Sequence, residues 1–188
     1  MATHALGCSD EARDRISSEG ARGRGRGREG TSHGESGPAF VIAPMDAATC
    51  ELYSALRESP PATGTPLYVP ADVTIPSVSD MDGYPVIIGL RVRARCCDWE
   101  NRKAHPYLLM PTSSFVGTPL DAPFAADIID ADYTGELGAA LISRSARPYT
   151  IKRGTPLFKL VRPGLEPTAS SIVRQDHPLF GSGEGALK

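Results

Sequence analysis

The chain has 188 residues, a formal net charge of −2 and 22% charged side chains. That is room for one domain with a buried core, and it excludes a global charge that would draw the chain to nucleic acid or a membrane surface. Aromatic residues are only 6%, against 19 Gly and 17 Pro, a balance that suits a turn-rich β protein better than a helical bundle.

Arg outnumbers Lys 16 to 4, which is read as the mark of a GC-rich genome rather than of phosphate binding. The four cysteines stand at 8, 50, 96 and 97 with no CxxC pair, so neither a zinc site nor a disulfide framework is indicated. Adjacent Cys96 and Cys97 are expected on opposite faces of one strand, as reduced thiols in a reducing compartment. The first residues hold no apolar signal-peptide core, the start is Met-Ala, and no apolar run reaches a membrane-span length. The expectation is a soluble intracellular protein of the cytoplasm or nucleus, not secreted and not membrane-bound.

Residues 1–38 hold almost nothing that builds a core and are predicted to be disordered. They contain the repeat Arg22-Gly23-Arg24-Gly25-Arg26-Gly27-Arg28. Such a repeat suits a solubilising tail, contact with RNA or single-stranded DNA, or a basic localisation signal. The whole tail carries six Arg against six Asp plus Glu, which favours the solubilising role.

Residues 39–166 read as the folded domain. Phe40–Ile42 is a short predicted strand, followed by Ala48–Ala55, ATCELYSA, and a Pro-rich turn over Glu58–Gly64. Leu67–Val69 and Val73–Ile75 flank a further turn. Leu90–Cys96 alternates, with Leu90, Val92, Ala94 and Cys96 on one face and Arg91, Arg93 and Arg95 on the other. The Arg face suits an anion patch or, more commonly, a solvated surface. Tyr107–Met110, Leu137–Ile142, Tyr149–Lys152 and Leu157–Val161 are further predicted strands. Many short strands with Gly/Pro turns and no evident amphipathic helix predict an all-β sandwich or barrel. After Pro167 the core pattern fades, and residues 167–188 read as a mobile C-terminal arm.

Within the domain, Asp130-Ala131-Asp132-Tyr133-Thr134-Gly135-Glu136 is an acidic, aromatic turn running into an apolar strand. It resembles the third motif of the dUTPase family, whose members hydrolyse dUTP to dUMP and pyrophosphate. Four more segments resemble the other motifs in the family's order: Ala48–Ala55, Pro111–Ser114 with Thr118-Pro119-Leu120, Gly154–Val161, and Arg174 to Gly183. The second spacing is similar to dUTPases of large DNA viruses, which implies a viral source. The resemblance implies a distorted β jelly roll, a homotrimer with sites built between subunits, Mg²⁺ on the triphosphate, and an aspartate that activates the attacking water.

Carried over residue by residue, the resemblance makes Asp130 the catalytic aspartate and Tyr133 the residue under the deoxyribose. Ser113 and Lys159 become phosphate contacts, although a plain turn and an edge-strand lysine explain them as well. Arg174 and Phe180 belong to the closing arm, with Phe180 stacking on the base. Glu51 stands where the family has an Asp near the metal, so its implied role is water-mediated; a surface role suits it equally.

The departures fall on the chemistry. The phosphate-binding Arg of the second motif is Thr112, which has one hydroxyl for a planar fork of donors. The base-reading Asn is Phe124, and a Gly of the base hairpin is Asp127, which adds a side chain and a negative charge. The Gly-rich phosphate cradle is interrupted by Gln175-Asp176-His177-Pro178-Leu179. The expected function is therefore that of a dUTPase-like homotrimer with a degenerate site, a pseudoenzyme kept as a structural or interaction module with a protein partner. The alternative is a divergent but working dUTP diphosphatase with Mg²⁺, or a binder of another nucleotide.

Overall fold

Pro38–Pro44 (PAFVIAP) is apolar throughout and forms β1, buried on both faces from Ala39 onward. A strand like this must lie between two layers, and β1 does. It pairs antiparallel with β5 (Val92–Asp98), Phe40 opposite Cys96, and parallel with β13 (Ser170–Ile172), Phe40 opposite Ser170. The computed structural model describes residues 38–98 and 100–181. The Arg-Gly tail therefore lies outside the described residues.

The remaining strands are β2 (Thr65–Leu67), β3 (Val73–Ile75), β4 (Val86–Gly89), β6 (Ala104–His105), β7 (Tyr107–Pro111), β8 (Leu120–Asp121), β9 (Asp127–Ile129), β10 (Gly138–Ser143), β11 (Tyr149–Ile151) and β12 (Phe158–Val161). They form sheets in the orders β13-β1-β5-β6, β4-β10-β8, β11-β3 and β2-β12-β7-β9. Every pairing except β1 with β13 is antiparallel. The described chain is thus mostly β, as its composition predicts. Among the described residues, no helix is long and apolar enough to cross a membrane.

The main core is where the inner faces meet. Leu90, Val92, Ala94 and Cys96 line it as the alternation predicts. Phe40 meets Tyr107 edge-on with centroids 5.6 Å apart, and the Tyr107 hydroxyl donates to the Ala94 carbonyl at 2.9 Å. Leu109, Leu141, Leu157 and Leu160 fill the space between the sheets. The strand predicted at Leu90 starts at Val92 instead, because Arg91 takes a left-handed φ of 53° and turns the chain. The turn is held by Leu90 N–H to Leu137 O at 2.9 Å and Leu137 N–H to Val92 O at 2.8 Å.

Ala47–Leu52 forms the one α-helix among the described residues, α1. Asp46 caps it: its side chain accepts the Thr49 N–H at 2.8 Å, satisfying a donor that a helix start leaves open. At Tyr53 the chain tightens into a 3₁₀ turn, Ser54–Glu58, before Pro60-Pro61. Tyr53 is fully buried, and its oxygen accepts the Tyr68 N–H at 3.1 Å.

The chain after Pro167 continues in the fold. β13 adds to β1, Val173 N–H donates to Ile42 O at 2.9 Å, and Phe180 is buried. Phe180 lies in a second, smaller cluster with Val41, Ala43 and Cys97, flanked by Val173 and Leu179. Cys96 faces the main core and Cys97 this smaller one, on opposite faces as expected. The Arg face of β5, expected to be solvated, is covered by the arm. Arg93 and Arg95 reach its backbone and are half-buried beneath it.

Candidate functional site

Asp130 follows directly on β9. It is exposed, and its backbone carbonyl accepts the Tyr133 N–H at 3.2 Å, closing the turn that the acidic segment predicts. Among the described residues no side chain hydrogen-bonds or ion-pairs its carboxylate. The Tyr133 ring folds back over Gly135, and its hydroxyl donates to Glu136 O at 2.7 Å. A Cβ on Gly135 would lie 2.7 Å from that hydroxyl oxygen, so glycine is needed here for close approach.

Glu136 turns away from this pair and into the β4–β5 connection. Its Oε1 accepts the Arg91 N–H at 3.0 Å and its Oε2 lies 3.6 Å from Arg91 Nη1. Arg91 in turn meets the helix-capping Asp46 at 3.2 Å. A Cβ on Gly89 would come within 2.5 Å of Glu136 Oε1. The end of the acidic turn is therefore a clamp on the left-handed Arg91, and Asp130 and Tyr133 are the part left facing outward.

A second group of predicted residues gathers elsewhere. Glu51 on α1 is well exposed, with its carboxylate 3.4 Å from Arg153 Nη2. Arg153 also donates to the Ala48 carbonyl at 2.6 Å, tying α1 to the turn after β11. Thr112 N–H donates to Leu157 O at 2.8 Å and the Thr112 hydroxyl to Pro156 O at 2.5 Å. Thr112 also caps the 3₁₀ turn Ser113–Phe115, on which Ser113 is exposed. Lys159 sits opposite Met110 on β12, next to the Phe158–Pro111 pair. Glu51 is thus tied to Arg153 and the Ser113 turn to Pro156, whereas the Lys159 stem lies beside Gly64, where an added Cβ would meet its Cδ at 3.0 Å.

The two groups lie at opposite ends of β7. Ile129, just before Asp130, pairs with Tyr107 at its start, whereas Ser113 follows its last residue, Pro111. A five-residue strand spans roughly 15 Å. One chain therefore does not bring Asp130 to Ser113. Phe124 is exposed on the β8–β9 connection, and Asp127 begins β9 opposite Leu109.

The arm residues are engaged within the chain. Arg174 Nε and Nη2 donate to the two carboxylate oxygens of Asp176 at 3.1 and 3.3 Å. That contact holds the Asp176 carboxyl below its ordinary value. The Phe180 ring faces Val41, Ala43 and Cys97, with the Arg93 guanidinium 5.1 Å from its centroid. In this arrangement it is not offered to a ligand.

For Mg²⁺, the fit within one chain is poor. Glu51 faces a guanidinium, and among the described residues no group of three His, Cys, Asp or Glu side chains is placed to hold a metal ion. Sequence reading did not find Arg95 as a joint. Its Nη1 donates to Leu179 O at 2.8 Å and its Nη2 to Ala131 O at 3.1 Å, linking the arm to the Asp130 turn. The only signal was the apolar pair Leu179-Phe180 in a polar tail.

No family model matches the chain, and no curated protein matches it. Among solved structures it is similar to a mutant dUTPase from phage phi11 of S. aureus, with a TM-score of 0.45 and 15% identity over 65% of this chain and 88% of that one. A Staphylococcus bacteriophage 80alpha dUTPase mutant with dUpNHpp gives a TM-score of 0.47 and 14% identity, over 65% and 88%. The native EIAV dUTPase gives 0.42 and 19%, over 66% and 85%.

Proposed function

We propose that the chain is a dUTPase-like homotrimer with a degenerate nucleotide site, kept as a structural or interaction module rather than as a catalyst. The observation that carries this reading is the burial of Phe180 in the chain's own second cluster, 3% exposed. A ring committed there cannot also stack on a base. Two further groups are engaged in the same way: the Thr112 hydroxyl by Pro156, and the Arg174 guanidinium by Asp176. Positioning supplies much of an enzyme's rate, so an aspartate without a held phosphate is a base with nothing to act on.

The test is steady-state pyrophosphate release from dUTP with Mg²⁺. Turnover well below about 1 per second, unchanged by Asp130→Asn, is expected. Turnover in the ordinary enzyme range that Asp130→Asn abolishes would overturn the reading. Thr112→Arg, Phe124→Asn and Asp127→Gly together are expected to restore nucleotide binding, read by equilibrium titration with a non-hydrolysed dUTP analogue.

A second reading, a working dUTP diphosphatase, draws on one observation. The Asp130 turn follows the residue paired with the start of β7, while Ser113 follows its end, so neither holds the other within one chain. Copies of the chain packed end to side would bring the two together.

A further inference from the structure

Arg95 stands on the outer face of β5, level with Val41 of β1. Its planar fork reaches two carbonyl oxygens from different parts of the chain: Nη1 donates to Leu179 O at 2.8 Å and Nη2 to Ala131 O at 3.1 Å. Leu179 lies in the arm, and Ala131 is the second residue of the turn that carries Asp130. None of the ion pairs among the described residues includes Arg95, and its Nε–H is buried without a hydrogen-bond partner there. The direction of the guanidinium is therefore set by these two carbonyls, and a rigid fork that loses one is turned on the other.

Each carbonyl is presented by a closed turn. On the arm, Leu179 is the middle residue of the 3₁₀ turn Pro178–Phe180; its N–H donates to His177 Nδ1 at 3.3 Å, and the Phe180 N–H to His177 O at 3.0 Å. Phe180, the next residue, is seated against Val41, Ala43 and Cys97. Leu179 O therefore stays on Arg95 only while Phe180 stays seated. On the other side, the Tyr133 N–H closes its turn onto Asp130 O at 3.2 Å, and the Tyr133 hydroxyl ties that turn to Glu136 O. The cluster under Phe180 is separate from the main core, which makes release of the arm's end a local opening rather than an unfolding of the domain.

We propose that Arg95 couples these two turns, so that the docked arm sets the Asp130 turn and release of Phe180 loosens it. Arg95 is then a positioning residue for that turn, and the arm is the element that switches it. Coupling of this kind is reciprocal, so a loosened turn also weakens the seat of the arm. A partner that draws the arm away acts on the exposed Asp130 and Tyr133 without touching them. The inference rests on these contacts and holds whether or not the chain hydrolyses dUTP.

The experiment follows amide exchange of the full chain by mass spectrometry, with the peptide spanning residues 130–136 as the readout. Phe180→Ala is expected to speed its exchange at least about fivefold, the low end of ordinary coupling between sites. The Ser113–Phe115 turn, held through Thr112 to Pro156, is expected to keep its rate. Arg95→Lys keeps the charge and the stem but not the planar fork. It should speed the Asp130 turn by itself, and in that background Phe180→Ala should add nothing at the turn while still exposing Cys97 to thiol labelling. In reverse, Tyr133→Phe, which loses the hydroxyl bond to Glu136 O, should speed labelling of Cys97 in the wild-type background and not beside Arg95→Lys. Unchanged exchange at the Asp130 turn in a Phe180→Ala chain whose Cys97 has become reactive overturns the proposal. So does an equal effect of Phe180→Ala with and without Arg95, or equal acceleration at the Ser113–Phe115 turn, which would make the arm a prop for the whole domain. Where Phe180→Ala does not give a cooperative melt, Phe180→Leu takes its place, because it keeps apolar volume against Val41 and Ala43 while losing the ring under Arg93.

Discussion

Asp130 and Glu136 belong to one acidic turn, yet only one of them supports the fold. The Asp130 carboxylate faces outward, while Glu136 holds the backbone N–H of a residue at φ 53° and pairs with its guanidinium. Glu136→Ala leaves that N–H without its acceptor and the left-handed Arg91 without its clamp. The expected loss is about 1–2 kcal/mol, mostly from the charged hydrogen bond. Asp130→Asn is expected to change stability by less than about 0.5 kcal/mol, as for a surface substitution. Paired urea melts of the two variants make the comparison. In the sequence both are carboxylates of one turn; the contacts of Glu136 with Arg91 and its close approach to Gly89 are what separate them.

At the scale of elements, α1 depends on one side chain. The Asp46 carboxyl is held below its ordinary value of 3.8 first by the Thr49 N–H and then, against a small cost of burial, by Arg91. A group lowered by folding contributes in full above the unfolded value and loses that contribution as pH falls through the lower folded value. Asp46→Ala should therefore cost about 1 kcal/mol near neutral pH. The difference from wild type should begin to shrink below about pH 4, where the unfolded carboxyl takes up its proton, and should vanish as pH falls through the lower folded value. Denaturation curves at pH 7 and pH 3 measure both.

The same scale holds the arm. Burial pushes the Cys96 thiol up to about 11 and raises that of Cys97 as well. Only Cys97 is covered by Phe180. Phe180→Ala is expected to speed thiol labelling of Cys97 at least tenfold and leave Cys96 slow, as mass spectrometry of labelled peptides would show. Equal rates for both cysteines would mean that the variant has opened the domain as a whole.

For the whole molecule, the proposed trimer would cover the partly exposed Ala140 and Ile142 of β10. Light scattering is expected to give a mass near three chains. A clean monomer at micromolar concentration would remove both the trimer and any site shared between copies. How much of this is legible beforehand follows from period and range. The alternation of Leu90 to Cys96 and the apolar run Leu137–Ile142 give strands, because side chains alternate across a sheet whatever lies opposite. β6, β8 and β9 are two or three residues long, too short for a period to show. The arm's docking is not legible either. The Arg face of β5 reads as solvated until its partner is known, and that partner, Leu179-Phe180, comes 84 residues after Arg95.

The parallel pairing of β1 with β13 bears on how the molecule is made. The first described strand of the chain lies between β5 and the last, with Phe40 beside both Cys96 and Ser170. During synthesis β1 must wait, its outer face of Val41 and Ala43 uncovered, until the chain beyond Ser170 has emerged. Such long-range closure is slow, and an apolar strand with an open edge is prone to pair with neighbouring chains in the meantime. A chain ended before residue 168 would leave that edge open permanently and should depend more on chaperones than one that reaches Ile172.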